Sequence, residues 1–442
     1  MAVDFSLLPV EIPETDKPPS RLIWIVVFLL LVLAGIFTVL ILWPKSLPTR
    51  TVDFLGTLIL FPVGIPALIV LFRYQYHAAR ILDTQMSNSA TRQYNDRVFA
   101  AASVPLAVLG TSHRFSVVQK ENSIADIRSG YLRLAVQELF ARDSEPAKVR
   151  WLEVPGVRLR AGTDRDDSAR QIEVTRWLFR EMLLDLSDAI NALPGQTNFS
   201  VQLVISGMLS DAQNEELWQE CWNGFGFCST YPIEHAAETT SLQLIDAWLD
   251  QIAAGRQREA NLIVAIQLHP LLGGSPPTGT AEAGVAMLLT PDGLASRHGL
   301  LRMANLHRPV RGPFDLSNDA MMHALKWAGS TVDAISGGWR TGLDMVQAGV
   351  LRKSAAQAGL DIQPVDLDPS VGHAGIAAPW LALACAATSV SATAPRQIVF
   401  AGHTEGVDCT VLRNASEEDR SAFPASGGGA PVSEKMQQQR RF

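Results

Sequence analysis

The sequence predicts two apolar helices able to cross a membrane, then an α/β region of two comparable halves in which sheets are layered with helices. Three observations carry this. Leu22 to Trp43 holds 22 residues without a charge. Strand-like and helix-like patterns alternate between Pro105 and Leu412, and the second part of that region repeats the rhythm of the first.

The first span, 22–43, reads "LIWIVVFLLLVLAGIFTVLILW" and is long enough for a hydrocarbon layer of roughly 30 Å. A signal peptide has a shorter apolar core and a small-residue cleavage site, whereas here Trp43-Pro44-Lys45 follows and a second apolar stretch comes ten residues later. That second span, 54–72, carries Pro62 and Pro66, which a membrane helix tolerates when neighbours satisfy the freed carbonyls. Residues 22–72 therefore form a transmembrane hairpin. Lys17, Arg21, Arg73, Arg80 and Arg92 lie on one side of it, against Lys45 and Arg50 in the short loop. The balance places residues 1–21 and everything after the hairpin in the cytoplasm, with the protein in the inner membrane as a two-pass chain.

A polar connector, 73–104, leads to the strand "VPLAVLG". Helix "YLRLAVQELF" and a strand near Val149 to Leu159 follow. In "QIEVTRWLFREMLLDLSDAINAL", Ile172, Leu178, Met182, Leu183, Leu186, Ile190 and Leu193 recur at helical spacing, and Gly195 stops the helix. Next come strand "FSVQLVISG", a polar and aromatic insertion from Met208 to Pro232, helix "SLQLIDAWLDQIAAG" and strand "ANLIVAIQL". The first half is 105–270. The second, 271–413, holds strand "GVAMLLTP", a strand from Leu301 to Leu306, helix "NDAMMHALKWAG", strand "VDAI", helix "DMVQAGVLRKSAAQAG", a small-residue helix after His373, and strands "RQIVFA" and "DCTVL". Residues 414–442 are polar, with Gly, Ser and Pro, and are expected to be disordered.

The chain of 442 residues is 47% hydrophobic and 18% charged, with a formal net charge of -7, so it has no basic footprint for nucleic acid. Its four cysteines, Cys221, Cys228, Cys385 and Cys409, lack CxxC pairing and read as reduced thiols. Cys221, Cys228 and His235 fall within fifteen residues, but three ligands at a non-motif spacing make no zinc site. No metal or cofactor is expected. "SGGWRTG" and "LLGGSPPTGT" lack the lysine of a phosphate cradle. Trp218, Trp222, Phe225 and Phe227 form an aromatic cluster that is either a partner surface or an anchor of the insertion to the core.

One stretch points to a family. "DPSVGHAGIAAPWLALACAA", Asp368 to Ala387, resembles the ketosynthase signature in which Gly-His opens a small-residue helix. "AEAGVAMLLTPDGLASRHGLLRMANL", "TVDAISGGWRTGLDMV" and "ETTSLQLIDAWLDQIAAGRQREANLIVAIQL" are similar to further pieces of that fold, in the right order. The resemblance implies a thiolase-like (ketosynthase-like) double α/β domain. Catalysis in that family needs a cysteine at the positive end of a helix and two histidines that hold an oxyanion. Aligning Ser241-Leu242 with the family pattern puts Glu238 in the cysteine's place. The first histidine falls within Ser336 to Trp339, and the lysine expected five residues before His373 is Asp368. Only His373 remains, as a vestige with Glu238 and Asp368, and the plain reading of His373 is a hydrogen-bonded residue at a helix start. Cys228 with His373 as its base is an alternative nucleophile.

As a whole, the chain resembles the type VI secretion lipase adapter protein family of Gram-negative bacteria, which pairs an N-terminal region with a C-terminal domain in this order. The resemblance implies a non-enzymatic adaptor or chaperone that binds a lipase-type toxin effector and delivers it to the secretion spike protein. A homodimer is a further expectation, since thiolase-type folds commonly pair. The alternatives are a membrane-anchored acyl-thioester enzyme of fatty-acid or polyketide type and a structural component of an envelope machine.

Overall fold

The computed structural model of the protein describes residues 8–13, 18–44, 51–141, 144–227, 233–235, 241–253, 259–314, 317–404 and 406–416. The chain divides into two compact units, residues 3–100 and, in the main, residues 101–442.

The first unit is a helical hairpin. Uninterrupted apolar residues make α1 (Arg21–Leu42) and the start of α2 (Val52–Ala102), both long and apolar enough to cross a membrane. They run antiparallel. Trp43 meets Phe54 edge-on with centroids 4.9 Å apart, and a Cβ added to Gly35 would touch the Pro62 backbone at 2.9 Å. Glycine at position 35 is what lets the helices approach this closely. Pro62 and Pro66 both lie inside α2, which continues past Phe72 through the connector. Its 51 residues span about 75 Å. The chain before α1 straps onto this extension: the Asn88 side chain exchanges hydrogen bonds with the backbone of Ile12 (2.8 and 2.9 Å), and Arg92 pairs with Glu11.

The second unit is built in duplicate. Its elements are β1 (Leu106–Arg114), α3 (Ile124–Ser129), β2 (Val136–Gln137), β3 (Ala147–Lys148), α4 (Asp164–Asn191), β4 (Phe199–Ser206), α5 (Asp211–Phe225), β5 (Ile233–His235), α6 (Gln243–Ala253), β6 (Ala260–Gln267) and β7 (Ala283–Pro291). After α7 (Asp292–His298) come β8 (Ala304–Leu306), β9 (Val310–Gly312), α8 (Ser317–Trp327), β10 (Gly337–Thr341), α9 (Met345–Gln357), β11 (Val365–Asp366), α10 (Ala378–Ser389), β12 (Arg396–His403) and β13 (Gly406–Arg413). The spatial order β5-β4-β6-β7-β1 in the first half is matched by β11-β10-β12-β13-β8 in the second. In both, the first three strands are parallel and the last two run antiparallel to their neighbours. The halves join where β1 pairs with β8. Because β7 lies between β6 and β1, the first half extends to Pro291, beyond the boundary read at 270.

Alternation along the strands sets the layers. On β6, Ile263 and Ala265 pack into a core with α6 and α10, while Leu262, Val264 and Ile266 face α4 and α5. Helix α10 is buried on every side and touches strands of both halves, so α6 and α10 form the central helix layer.

Three local expectations fail. Residues 131–140 form no helix: Leu134 donates its N–H to the Pro369 carbonyl, and Leu139 and Phe140 pack on Trp151 and Leu271, so tertiary contacts override the local pattern. Val149 to Leu159 is irregular apart from one bridge, Arg150 to Ala281, and "VDAI" is a single 3-10 turn at Val332–Ala334. The tryptophans of the aromatic insertion are also interior. Trp218 and Trp222, read as part of a partner surface, are 0% and 2% exposed, because Leu217, Trp218, Cys221 and Trp222 share the buried face of α5. Trp218 meets Phe179 edge-on with centroids 5.0 Å apart. Phe225 and Phe227 stack at the margin of this core, partly exposed.

Candidate functional site

Duplication brings the start of α6 and the start of α10 to one place, where a cavity of about 480 Å³ opens. Ser241 lines it from the first half, and Thr341, His373, Gly402, His403, Asp408 and Arg311 from the second.

His373 is fixed from both halves. Its backbone N–H donates to the Gly279 carbonyl (2.8 Å) and its carbonyl accepts from Ala281 (3.0 Å), a bridge across the junction. Gly372 precedes it with φ +103°, and a Cβ there would strike Ala281, so glycine is required. The segment carrying Ala281, which leads into β7, is anchored by buried charges. Arg170 pairs with Glu282, which also accepts from the backbone of Leu152 and His269 (both 3.0 Å), and Asp167 accepts from the backbone of Leu271, Leu272 and Gly273.

The Asp368 carboxylate lies 3.7 Å from His373 Nδ1. It also accepts hydrogen bonds from Thr341 Oγ1 (2.6 Å) and the Gly342 N–H (2.8 Å). Burial raises Asp368, but these donors, His373 foremost, outweigh it and hold the carboxyl below its ordinary value. Asp368 in turn raises His373 above the usual imidazole range, against the burial that lowers it. The two shifts define a pH window. The raised histidine contributes stability that is lost as pH rises through its folded value, and the lowered carboxyl contributes stability that is lost as pH falls through its own. Asp368→Asn should therefore move the His373 titration to lower pH, read from the imidazole Cε1–H resonance. An unchanged titration would mean that the pair is not coupled.

Opposite His373, Asp408 is buried and takes the Arg311 guanidinium in a two-pronged pair, Nε at 2.8 Å and Nη2 at 3.0 Å. Arg311 also donates to Ser241, which joins the halves at this point. His403 Nε2 lies 3.9 Å from Asp408.

One predicted stretch lies away from the cavity. Ser336 to Trp339 do not face His373: Ser336 donates to the Arg396 carbonyl where β12 begins, and Trp339 is wholly buried in the central core. The β10 residue that lines the cavity is Thr341, its last, which pairs in register with Ala401 where β12 also enters the cavity. Cys228 and Glu238 lie outside the described residues. Cys221 donates to the Arg176 carbonyl (3.8 Å), whereas His235 faces Asp211 and Glu215, so these two turn to different partners. Burial raises the thiols of Cys221 and Cys409 and pushes Cys385 up to about 12, so none of the three is a ready thiolate. Sequence reasoning missed Arg311, Asp408 and Thr341, whose pairing depends on long-range register.

No protein-family model and no curated protein sequence matches the chain. Solved structures do. The chain is similar to the ishigamide ketosynthase/chain length factor, with a TM-score of 0.51 and 13% identity, covering 70% of this chain and 99% of that one. It is also similar to an oxazolomycin ketosynthase domain from Streptomyces albus JA3453 (TM-score 0.49, 13% identity, 70% and 76% covered). A third is a type II polyketide synthase ketosynthase in complex with its acyl-carrier protein (TM-score 0.47, 13% identity, 71% and 99% covered). The first of these carries the assignment: the second unit has a ketosynthase-like, thiolase-type fold.

Proposed function

We propose that the protein is a membrane-tethered, non-enzymatic adaptor built on a condensing-enzyme fold, which holds a lipase-type toxin effector in the cytoplasm and loads it onto the type VI secretion spike. The observation that supports it best is the Asp368 carboxylate beside His373. An oxyanion site gathers donors and positive charge where negative charge develops. On the family resemblance a carboxylate, Asp368, takes the place of the expected lysine, and the β10 residue at the cavity is Thr341, not a histidine. Asp408 adds another buried negative charge across the cavity, already consumed by Arg311. Two helices long enough to cross a membrane support tethering, and the lysine and arginine balance supports a cytoplasmic second unit. The toxin and the spike rest on the family resemblance.

The test is co-expression of the full chain with a lipase-type effector, extraction in mild detergent and native mass measurement. A one-to-one complex is expected. An effector that elutes free at every concentration tested would contradict the reading. The 480 Å³ cavity with its part-exposed His373 favours one rival, an acyl-thioester enzyme using a cysteine such as Cys228.

A further inference from the structure

The face that α2 turns toward the N-terminal strap reads extended backbone. Asn88, Arg92 and Asn95 stand at i, i+4 and i+7 and share one side of the helix. Seven helical residues rise about 10.5 Å and three steps of extended chain cover about 10 Å, so contacts at both ends stay in register. Asn88 takes both backbone groups of Ile12: its Oδ1 accepts the N–H (2.8 Å) and its Nδ2 donates to the carbonyl (2.9 Å). Arg92 grips the Glu11 carboxylate with two donors, at 2.8 and 2.5 Å. Val10 and Ile12 are 84% and 52% exposed, so the helix recognises backbone and one carboxylate and leaves the apolar side chains outside.

At the far end the match is incomplete. Asn95 Nδ2 donates to the Pro9 carbonyl (3.0 Å), while its Oδ1 is enclosed and makes no hydrogen bond. By the pairing at Asn88, the partner of that oxygen is the N–H of residue 9, which proline lacks. The chain's own strap is therefore a ligand with one hydrogen bond missing, and the strap of a second copy carries the same proline. A segment with another residue there gains the bond, about fivefold in affinity. The Arg92 and Glu11 side chains are both exposed, and an exposed ion pair holds weakly, so a better ligand can displace the strap.

We propose that Asn88, Arg92 and Asn95 form a docking site for an extended acidic segment of a partner protein, and that residues 9–12 mask this site in cis. The segment carries a carboxylate in the place of Glu11 and, two positions before it, a residue other than proline. The site belongs to the first unit and stands independently of the adaptor reading.

The test uses the full chain in amphipathic polymer and fluorescent hexapeptides that copy residues 8–13, with and without Pro9→Ala, read by anisotropy. Glu11→Arg in the chain sets the strap against Arg92 and opens the site. The Pro9→Ala peptide should bind this variant at least about tenfold more tightly than it binds the parent, and about fivefold more tightly than the unaltered peptide does. Adding Arg92→Glu restores an opposite-charge pair with the strap and repels the peptide, so binding should fall again at least about tenfold. Equal affinity for the two peptides, undiminished binding in the double variant, or no binding to Glu11→Arg would overturn the proposal.

Discussion

Replacing Arg170 by Met should lower the stability of the second unit by about 3–5 kcal/mol, the usual cost of leaving a buried charge unpaired. Arg170 and Glu282 are 2% and 0% exposed, and Asp167 is 0% exposed. Without the guanidinium, two carboxylates remain enclosed near one another, still bound to the backbone of five loop residues. Loss of the cluster also frees the segment before β7 that holds His373, since Ala281 is the residue next to Glu282. Denaturant midpoints of the detergent-solubilised full chain, followed by tryptophan fluorescence, measure the effect. Adding Glu282→Gln to the variant removes one unpaired charge and should restore part of the loss. A single variant as stable as the parent would show that the cluster is not the anchor described.

Trp218→Ala should cost a comparable amount, about 3–5 kcal/mol, because it removes a large aromatic side chain from a packed interior. The ring is fully enclosed between Phe179 and Trp222, with no solvent face to compensate. Phe225→Ala, at the partly exposed margin, should cost less. The same denaturation series separates interior packing from partner contact: a partner surface would leave both midpoints unchanged and weaken only complex formation.

The apolar hairpin was legible because charge-free runs have few other readings. Strands β6 and β7 of the second unit were legible for the same reason, as they are buried on both faces and read as continuous apolar stretches. The Gly-His start of α10 was also visible, since glycine with positive φ followed by small residues leaves a local trace. The rest of the site was not local. Nothing between Gly337 and Thr341 announces which residue ends the strand at the cavity, so Thr341 was not singled out. Pairing of Arg311 with Asp408 depends on the antiparallel register of β9 and β13, two segments about a hundred residues apart. The aromatic insertion carried a readable signal: Leu217, Trp218, Cys221 and Trp222 recur as the inner face of an amphipathic helix. The surrounding polar residues obscured it.

The duplicate topology also explains why the cavity at His373 is surrounded by so many bonds across the halves. Ser241 to Arg311, Gly279 to His373 and Ala281 to His373 all join the first half to the second at the cavity. These contacts keep the fold closed whether or not chemistry takes place there.

The central claim is that this ketosynthase-like unit binds a partner and does not carry an acyl group. Incubating the full chain with a reactive acyl thioester and measuring its intact mass tests this most directly. The account predicts an unmodified mass after prolonged exposure. A stoichiometric acyl adduct on a cysteine, abolished by Cys228→Ala, would contradict it and establish the enzyme instead.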